Sequence, residues 1–203
     1  MVALQPTTIS TGYIPRRSAE NIFHAVRFAE YQQRPLNTFI TVNLGDLGIP
    51  AEIASKEFAQ IRGATRRRWN RHRDKYDPSL GKFDFVVAHE NPGGDCPHAH
   101  WMAHVPKKYQ TRFAAALEAS LKRFIDVDDL GTALVIKPIE TPGTLAKYIL
   151  KGVDPYYAEY FYMDQATDQG PVLGRRVATS RSLAKSARLK AGWVRKRRRS
   201  KSA

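Results

Sequence analysis

FDFVVAHENPGGDCPHAHWMAHVP, residues Phe83 to Pro106, is the stretch that decides the fold. Two β-type runs, about 83–90 and 97–105, flank the turn cluster Asn91-Pro92-Gly93-Gly94-Asp95-Cys96-Pro97, the pattern of a hairpin with a long loop. In the second run His98 and His100 stand two apart, so on a strand both imidazoles share one face, roughly 7 Å apart along the chain. Met102 and His104 continue that face, while Ala99, Trp101, Ala103 and Val105 form the other, a plain core face. With 90 paired opposite 98, Glu90 brings a carboxylate to the histidine face within cross-strand reach. A register slipped by one presents His89 there instead. Two imidazoles beside a carboxylate are the donors of an open divalent-metal site. His104, about 13 Å beyond His100, is too far away to share the ion.

Outward from the hairpin the pattern is α+β. Residues 1–17 lack periodicity and read as an arm. Ser18 is placed to cap a helix over 19–33, with Ile22, Val26 and Ala29 on one face. Thr38 to Asn43 alternates and is β-branched, a strand. Residues 51–76 predict a long helix whose second half is basic, with Arg66, Arg67, Arg68, Arg71 and Arg73 a solvated face or a set of phosphate contacts, and Trp69 a core anchor ahead of a base-stacking platform. Beyond the hairpin come a helix over 107–124 carrying Phe113, Leu117, Leu121 and Phe124, a strand at 133–136, and a short helix over 144–152 closed by Gly152. On this last helix Leu145, Ala146, Ile149, Leu150 and Val153 share an apolar arc. Tyr148 falls at its edge with Lys151 about 60° further round.

The net charge is +14, and the pI about 10.1. From Gln169 onward there is no acidic residue and there are twelve Lys or Arg, among them the run Arg195, Lys196, Arg197, Arg198 and Arg199. That imbalance calls for a polyanionic partner. A single cysteine, Cys96, excludes an internal disulfide and a thiolate zinc cluster. No apolar run has the length of a membrane helix and no hydrophobic signal core opens the chain, so a soluble, cytoplasmic protein is expected. Three regions are expected: an N-terminal arm and helix over 1–35, a central α+β domain over 36–168, and a basic DNA-binding tail over 169–203. Ser180 to Trp193 reads as a helix within that tail.

Taken together, the metal donors, the tyrosine and the cations suit attack of a phenol on a DNA phosphodiester. The strand Phe39-Ile40-Thr41-Val42-Asn43, the His98-Ala99-His100 motif and Tyr148-Ile149-Leu150-Lys151 appear in the order found in HUH endonucleases. The chain resembles their replication-initiator (Rep) branch with a single catalytic tyrosine, over roughly 36–153. The resemblance implies a central antiparallel sheet with flanking helices on a ferredoxin- or RNA-recognition-motif-like plan, and Mg²⁺ or Mn²⁺ on His98, His100 and Glu90. It implies Tyr148 as nucleophile assisted by Lys151, a 5′-phosphotyrosine link and a free 3′-hydroxyl. The expected activity is nicking and rejoining of single-stranded DNA or an origin hairpin, starting rolling-circle replication of a bacterial plasmid or phage-like element. No phosphate-binding loop is present, so a helicase is expected from the host. The other readings are a single-tyrosine transposase of the same chemistry and a non-catalytic basic DNA-binding protein.

Overall fold

The computed structural model describes residues 10–126 and 128–194. In chain order the elements are β1 (Ser10–Thr11), α1 (Arg16–Tyr31), β2 (Thr38–Asn43), α2 (Ala51–Tyr76), β3 (Phe85–Glu90), β4 (His98–Ala103), α3 (Gln110–Ile125), β5 (Leu134–Pro138), α4 (Pro142–Ile149), β6 (Val172–Leu173), β7 (Val177–Thr179) and α5 (Lys185–Lys190). Strands β5-β2-β4-β3-β7 form one antiparallel sheet in that order, and β1 pairs with β6 in a second, two-stranded one. The histidine strand β4 is therefore the centre of five.

Each face of the large sheet carries its own core. On one face Phe85, Val87, Ala99, Trp101 and Ala103 meet α2 and α3 through Phe58, Ile61, Trp69, Phe113, Leu117 and Leu121. Trp101 is fully buried, and the rings of Phe58, Phe83, Phe85 and Phe113 stand within 5.6 to 6.2 Å of its centroid, mostly edge-on. Trp69 belongs to this core and donates its indole N–H to the Gly81 carbonyl at 3.2 Å. The face of Val86, Ala88 and Met102 is covered by α1 and α4 through Ile22, Val26, Phe28, Ala146 and Ile149, with Leu150 just past α4. The alternation expected for the hairpin holds, but its histidine face is not an open one. Val86, Ala88 and Met102 make that face apolar at one end, and two helices bury it there.

Several expectations need correction. Helix α1 starts at Arg16 behind Pro15, so Ser18 lies inside the first turn and caps nothing. Helix α4 begins at Pro142, where a missing N–H costs no hydrogen bond, and ends at Ile149, so Lys151 lies just past it. Phe124 of α3 is exposed. The helix expected over Ser180 to Trp193 is a 3₁₀ turn at Arg181–Leu183 followed by the short α5, separated by extended backbone at Ala184. Charge alone suggested that the tail begins at 169, but the fold does not break there. Val177–Thr179 pairs with Val86–Ala88, Val172–Leu173 pairs with Ser10–Thr11, and Ile14 bridges to Val153. Two cations of that segment are buried and structural. Arg188 donates to the Asn21 side chain at 2.7 Å and the Leu183 carbonyl at 2.6 Å, and Arg176 to the Thr11 carbonyl at 2.9 Å. The remaining tail candidates, Arg195, Lys196, Arg197, Arg198 and Arg199, lie outside the described residues.

Asp77 ties the end of α2 to the start of α3. Its carboxylate accepts from the Ser79 N–H at 3.1 Å, from the Ser79 and Tyr109 hydroxyls, and from the Lys108 ammonium at 2.9 Å. These donors, Ser79 first, hold its pKa well below the usual carboxylate range. A depressed folded pKa contributes stability above the unfolded value, about 3.9, that is lost as pH falls through the folded value. Urea midpoints of wild type and Asp77→Asn should therefore differ by a constant amount from pH 7 down to about pH 4, wild type higher, and converge in stronger acid. A gap unchanged by acid would show that the carboxylate charge contributes nothing.

Candidate functional site

The register of the sheet assembles the site. Opposite β4, β2 pairs Thr41 with His100 and Asn43 with His98, and β3 pairs Glu90 with His98. Directly opposed residues share a face, so Phe39, Thr41, Glu90, His98 and His100 lie together on the α1/α4 side. The register that presents Glu90 is the one adopted, and His89 points to the opposite core, where its ring stands 5.4 Å from that of Phe58. Burial pushes the His89 pKa down to about 3, with Arg62 and Arg176 adding to the effect, so it is neutral. His104 lies beyond the strand, against the Pro35 carbonyl at 2.7 Å.

Both ring orientations are fixed from behind. His98 Nδ1 meets the Cys96 carbonyl at 2.5 Å, which makes it the donor and leaves the Nε2 lone pair free to face outward. His100 Nδ1 meets the Thr41 hydroxyl at 3.2 Å, and its Nε2 lies 3.2 Å from Glu90 Oε2. The ring centroids of the two histidines are 6.1 Å apart. Glu90 is buried; Oε2 also takes the Lys151 ammonium at 3.0 Å, while Oε1 is buried without a hydrogen-bond partner. Burial alone would raise the Glu90 pKa, but His100 and Lys151 outweigh it and hold the carboxyl below its ordinary value.

The tyrosine closes the cluster. Tyr148 rests edge-on against His100 at 5.5 Å and Phe39 at 6.2 Å between centroids, and Lys151 Nζ stands 4.4 Å from the centre of its ring. It is 47% exposed, and its hydroxyl has no hydrogen-bond partner among the described residues. Lys151 thus bridges Glu90 and Tyr148. No three His, Cys, Asp or Glu side chains among the described residues converge into a metal-holding group in this conformation.

Of the expected site residues, Glu90, His98, His100, Tyr148 and Lys151 come together. The arginines of α2 do not. Helix α2 covers the other face of the sheet, so Arg66, Arg67 and Arg71 are exposed there, and Arg68 is spent on α3, donating to Ser120 Oγ at 2.7 Å and the Ala116 carbonyl at 3.2 Å. Sequence reasoning overlooked Thr41, Phe39 and Lys137. Lys137 pairs with Phe39 on the edge strand β5 and brings an exposed cation to the site face. The alternation of Thr38 to Asn43 already placed Phe39 and Thr41 on one face, but only the register shows that the face is the histidine one.

No family model, curated protein or solved structure matches the chain. No helix among the described residues is long and apolar enough to cross a membrane.

Proposed function

We propose that this chain is a single-tyrosine DNA nickase of the HUH replication-initiator type, cutting and rejoining single-stranded DNA to start rolling-circle replication of a plasmid or phage-like element. The observation that carries this reading is the convergence of three separately recognised pieces. An exposed, unpartnered phenol stands against one of two anchored histidines, with Lys151 over its ring and paired to a buried carboxylate.

His98, His100 and Glu90 fit a divalent ion in kind. Both imidazoles are fixed through Nδ1, and Glu90 keeps a buried oxygen with no partner. They are the residues that would hold Mg²⁺ or Mn²⁺, and the chemistry such an ion supplies when bound is polarisation of a non-bridging phosphate oxygen. The chain's own residues do the rest. Phe39 and His100 fix the Tyr148 ring, and the Lys151 ammonium favours the phenolate, since a free phenol of pKa near 10 is a poor nucleophile. Lys137 and Lys151 attract the phosphate. The phenol proton leaves to solvent, and the Tyr148 oxygen bonds to phosphorus as the bond to the 3′ oxygen breaks. That oxygen takes up a proton and departs as a hydroxyl. Attack by a 3′-hydroxyl on the phosphotyrosine reverses the sequence and rejoins the strand.

The second reading is a basic DNA-binding module, favoured by the Glu90–His100–Lys151 network, in which one carboxylate oxygen, Oε2, already takes both His100 and Lys151. Incubating the protein with a pool of single-stranded oligonucleotides and Mn²⁺ should yield an adduct that survives denaturing electrophoresis, maps to Tyr148 and is prevented by a chelator. If strands are bound but never become covalently attached, the binding module is correct.

A further inference from the structure

Three arginines from two distant parts of the chain meet on the α2 side of the sheet, beside edge strand β7. Ser55, Arg62 and Arg66 fall within about 40° of one another around α2. Ser55 is buried and donates from Oγ to the Arg175 carbonyl at 3.1 Å, which seats the turn between β6 and β7 on the helix. That turn passes through Gly174 at a φ of 93°, a conformation that suits glycine. Arg62 is half-buried, its guanidinium 5.1 Å from the centre of the Phe85 ring, while Arg66 and Arg175 are exposed. None of the three side chains is ion-paired or hydrogen-bonded among the described residues. Burial, then Arg175 and Arg66, push the Arg62 pKa down to about 10, so it stays charged at neutral pH with each of these influences set against it. Glu57, an acid on the same helix, points about 160° away from Ser55 and accepts from Gln60 at 3.1 Å. Arg176 turns inward to the Thr11 carbonyl and is no part of the group.

We infer that Arg62, Arg66 and Arg175 form a phosphate-binding ridge that takes the backbone of a DNA duplex, on the face of the sheet away from Tyr148. Like charges held together without a carboxylate destabilise the free protein, and an anion laid across them relieves that repulsion. Planar guanidinium forks match phosphate oxygens. Arg62 and Arg66 stand one helical turn apart, about 6 Å along the axis. A DNA strand carries one phosphate per about 3.4 Å of its axis, so the pair spans about two of them. Among the described residues, the ring in contact with these guanidiniums is Phe85, and it is buried. A single strand therefore finds no ring to stack on, and duplex, with twice the charge per unit length, is preferred. Tyr148 lies on the α1/α4 side, so the ridge grips a different segment from the one being cut. On the nickase reading, that segment is the duplex beside the unpaired stretch.

Only the duplex's relation to the cut rests on that reading, and binding to the ridge can be measured without cleavage. Full-length protein in a chelator is titrated into a labelled duplex of arbitrary sequence, and into its separated strands, at a series of salt concentrations while anisotropy is followed. Arg66→Gln and Arg175→Gln should each lower the slope of log Kobs against log salt by about 0.9, one phosphate's worth, and weaken duplex binding about 5-fold near physiological salt. Arg123→Gln removes the same charge from an exposed position near the end of α3 and should leave both unchanged. Arg175→Lys keeps the charge and should keep the slope. The separated strands should bind every variant as they bind wild type. Thermal melting checks the fold, and losing one of three repelling charges should leave the free protein at least as stable. Four results overturn the inference: unchanged slopes in Arg66→Gln and Arg175→Gln, an equal loss in Arg123→Gln, an equal loss on single strands, or phosphatidylserine vesicles needing the two arginines when duplex does not. The expected slopes without any covalent adduct sink the nickase reading alone. An adduct at Tyr148 with unchanged slopes sinks the ridge alone.

Discussion

Tyr148→Phe protein is expected to leave single-stranded DNA uncut and to form no covalent adduct, while binding the same oligonucleotide within about twofold of wild type. The reasoning is local. The change removes one oxygen that has no hydrogen-bond partner among the described residues, and it keeps the ring that packs on Phe39 and His100 and lies beneath Lys151. Folding therefore loses almost nothing, yet the oxygen proposed to carry the phosphoryl group is gone. Denaturing gels read the adduct, fluorescence anisotropy reads affinity, and thermal melting checks the fold. Adduct formation by the variant would move the nucleophile elsewhere, with Tyr156 and Tyr157 the first places to look. Lost binding together with lost cutting would mean that Tyr148 holds DNA rather than attacks it.

Trp101→Ala carries the largest expected effect on stability, a loss of about 3–5 kcal/mol. Trp101 is fully buried in the centre strand, and four phenylalanine rings from α2, α3, β3 and the strand's approach close on it. Rigid rings fixed on separate elements cannot collapse into the space left behind, so the cavity term stays large. Chemical denaturation measures the loss directly. A smaller loss of under about 1.5 kcal/mol would mean that the aromatic cluster repacks. Trp101→Phe is the informative companion, because the indole N–H is buried without a partner. Removing it relieves an unsatisfied donor and offsets part of the lost volume.

The same tryptophan shows why much of the fold was legible in the sequence. Strict alternation from His98 to Val105 separates two faces, and that alternation, with the turn cluster before it, sets both hairpin strands and the pairing of Glu90 with His98. Strand β2 and helix α2 lie where their periods put them, at Thr38–Asn43 and Ala51–Tyr76. Tyr148 stands at the edge of an apolar arc, as helical geometry requires. What escaped was decided by distant partners. Nothing local in Val177-Ala178-Thr179 announces a strand, since three residues inside a basic stretch acquire that state only by meeting the edge of β3. Arg176 and Arg188 look like their neighbours in composition, and only tertiary contacts turn them from solvated charges into buried structural donors. The cover over the histidine face was visible in Met102, Val86 and Ala88, but a pattern read for chemistry passed over them.

Strand β7 also sets a timetable. The strand carrying Glu90 completes its outer edge with residues made almost ninety positions later. A chain growing from its N-terminus therefore holds β3 with one row of backbone donors and acceptors unpaired until Val177 to Thr179 emerge, and long-range pairing of this kind forms slowly. Through that interval the exposed edge can template pairing with another nascent chain. The basic segment from residue 169 onward thus begins by closing the edge of β3 against such pairing.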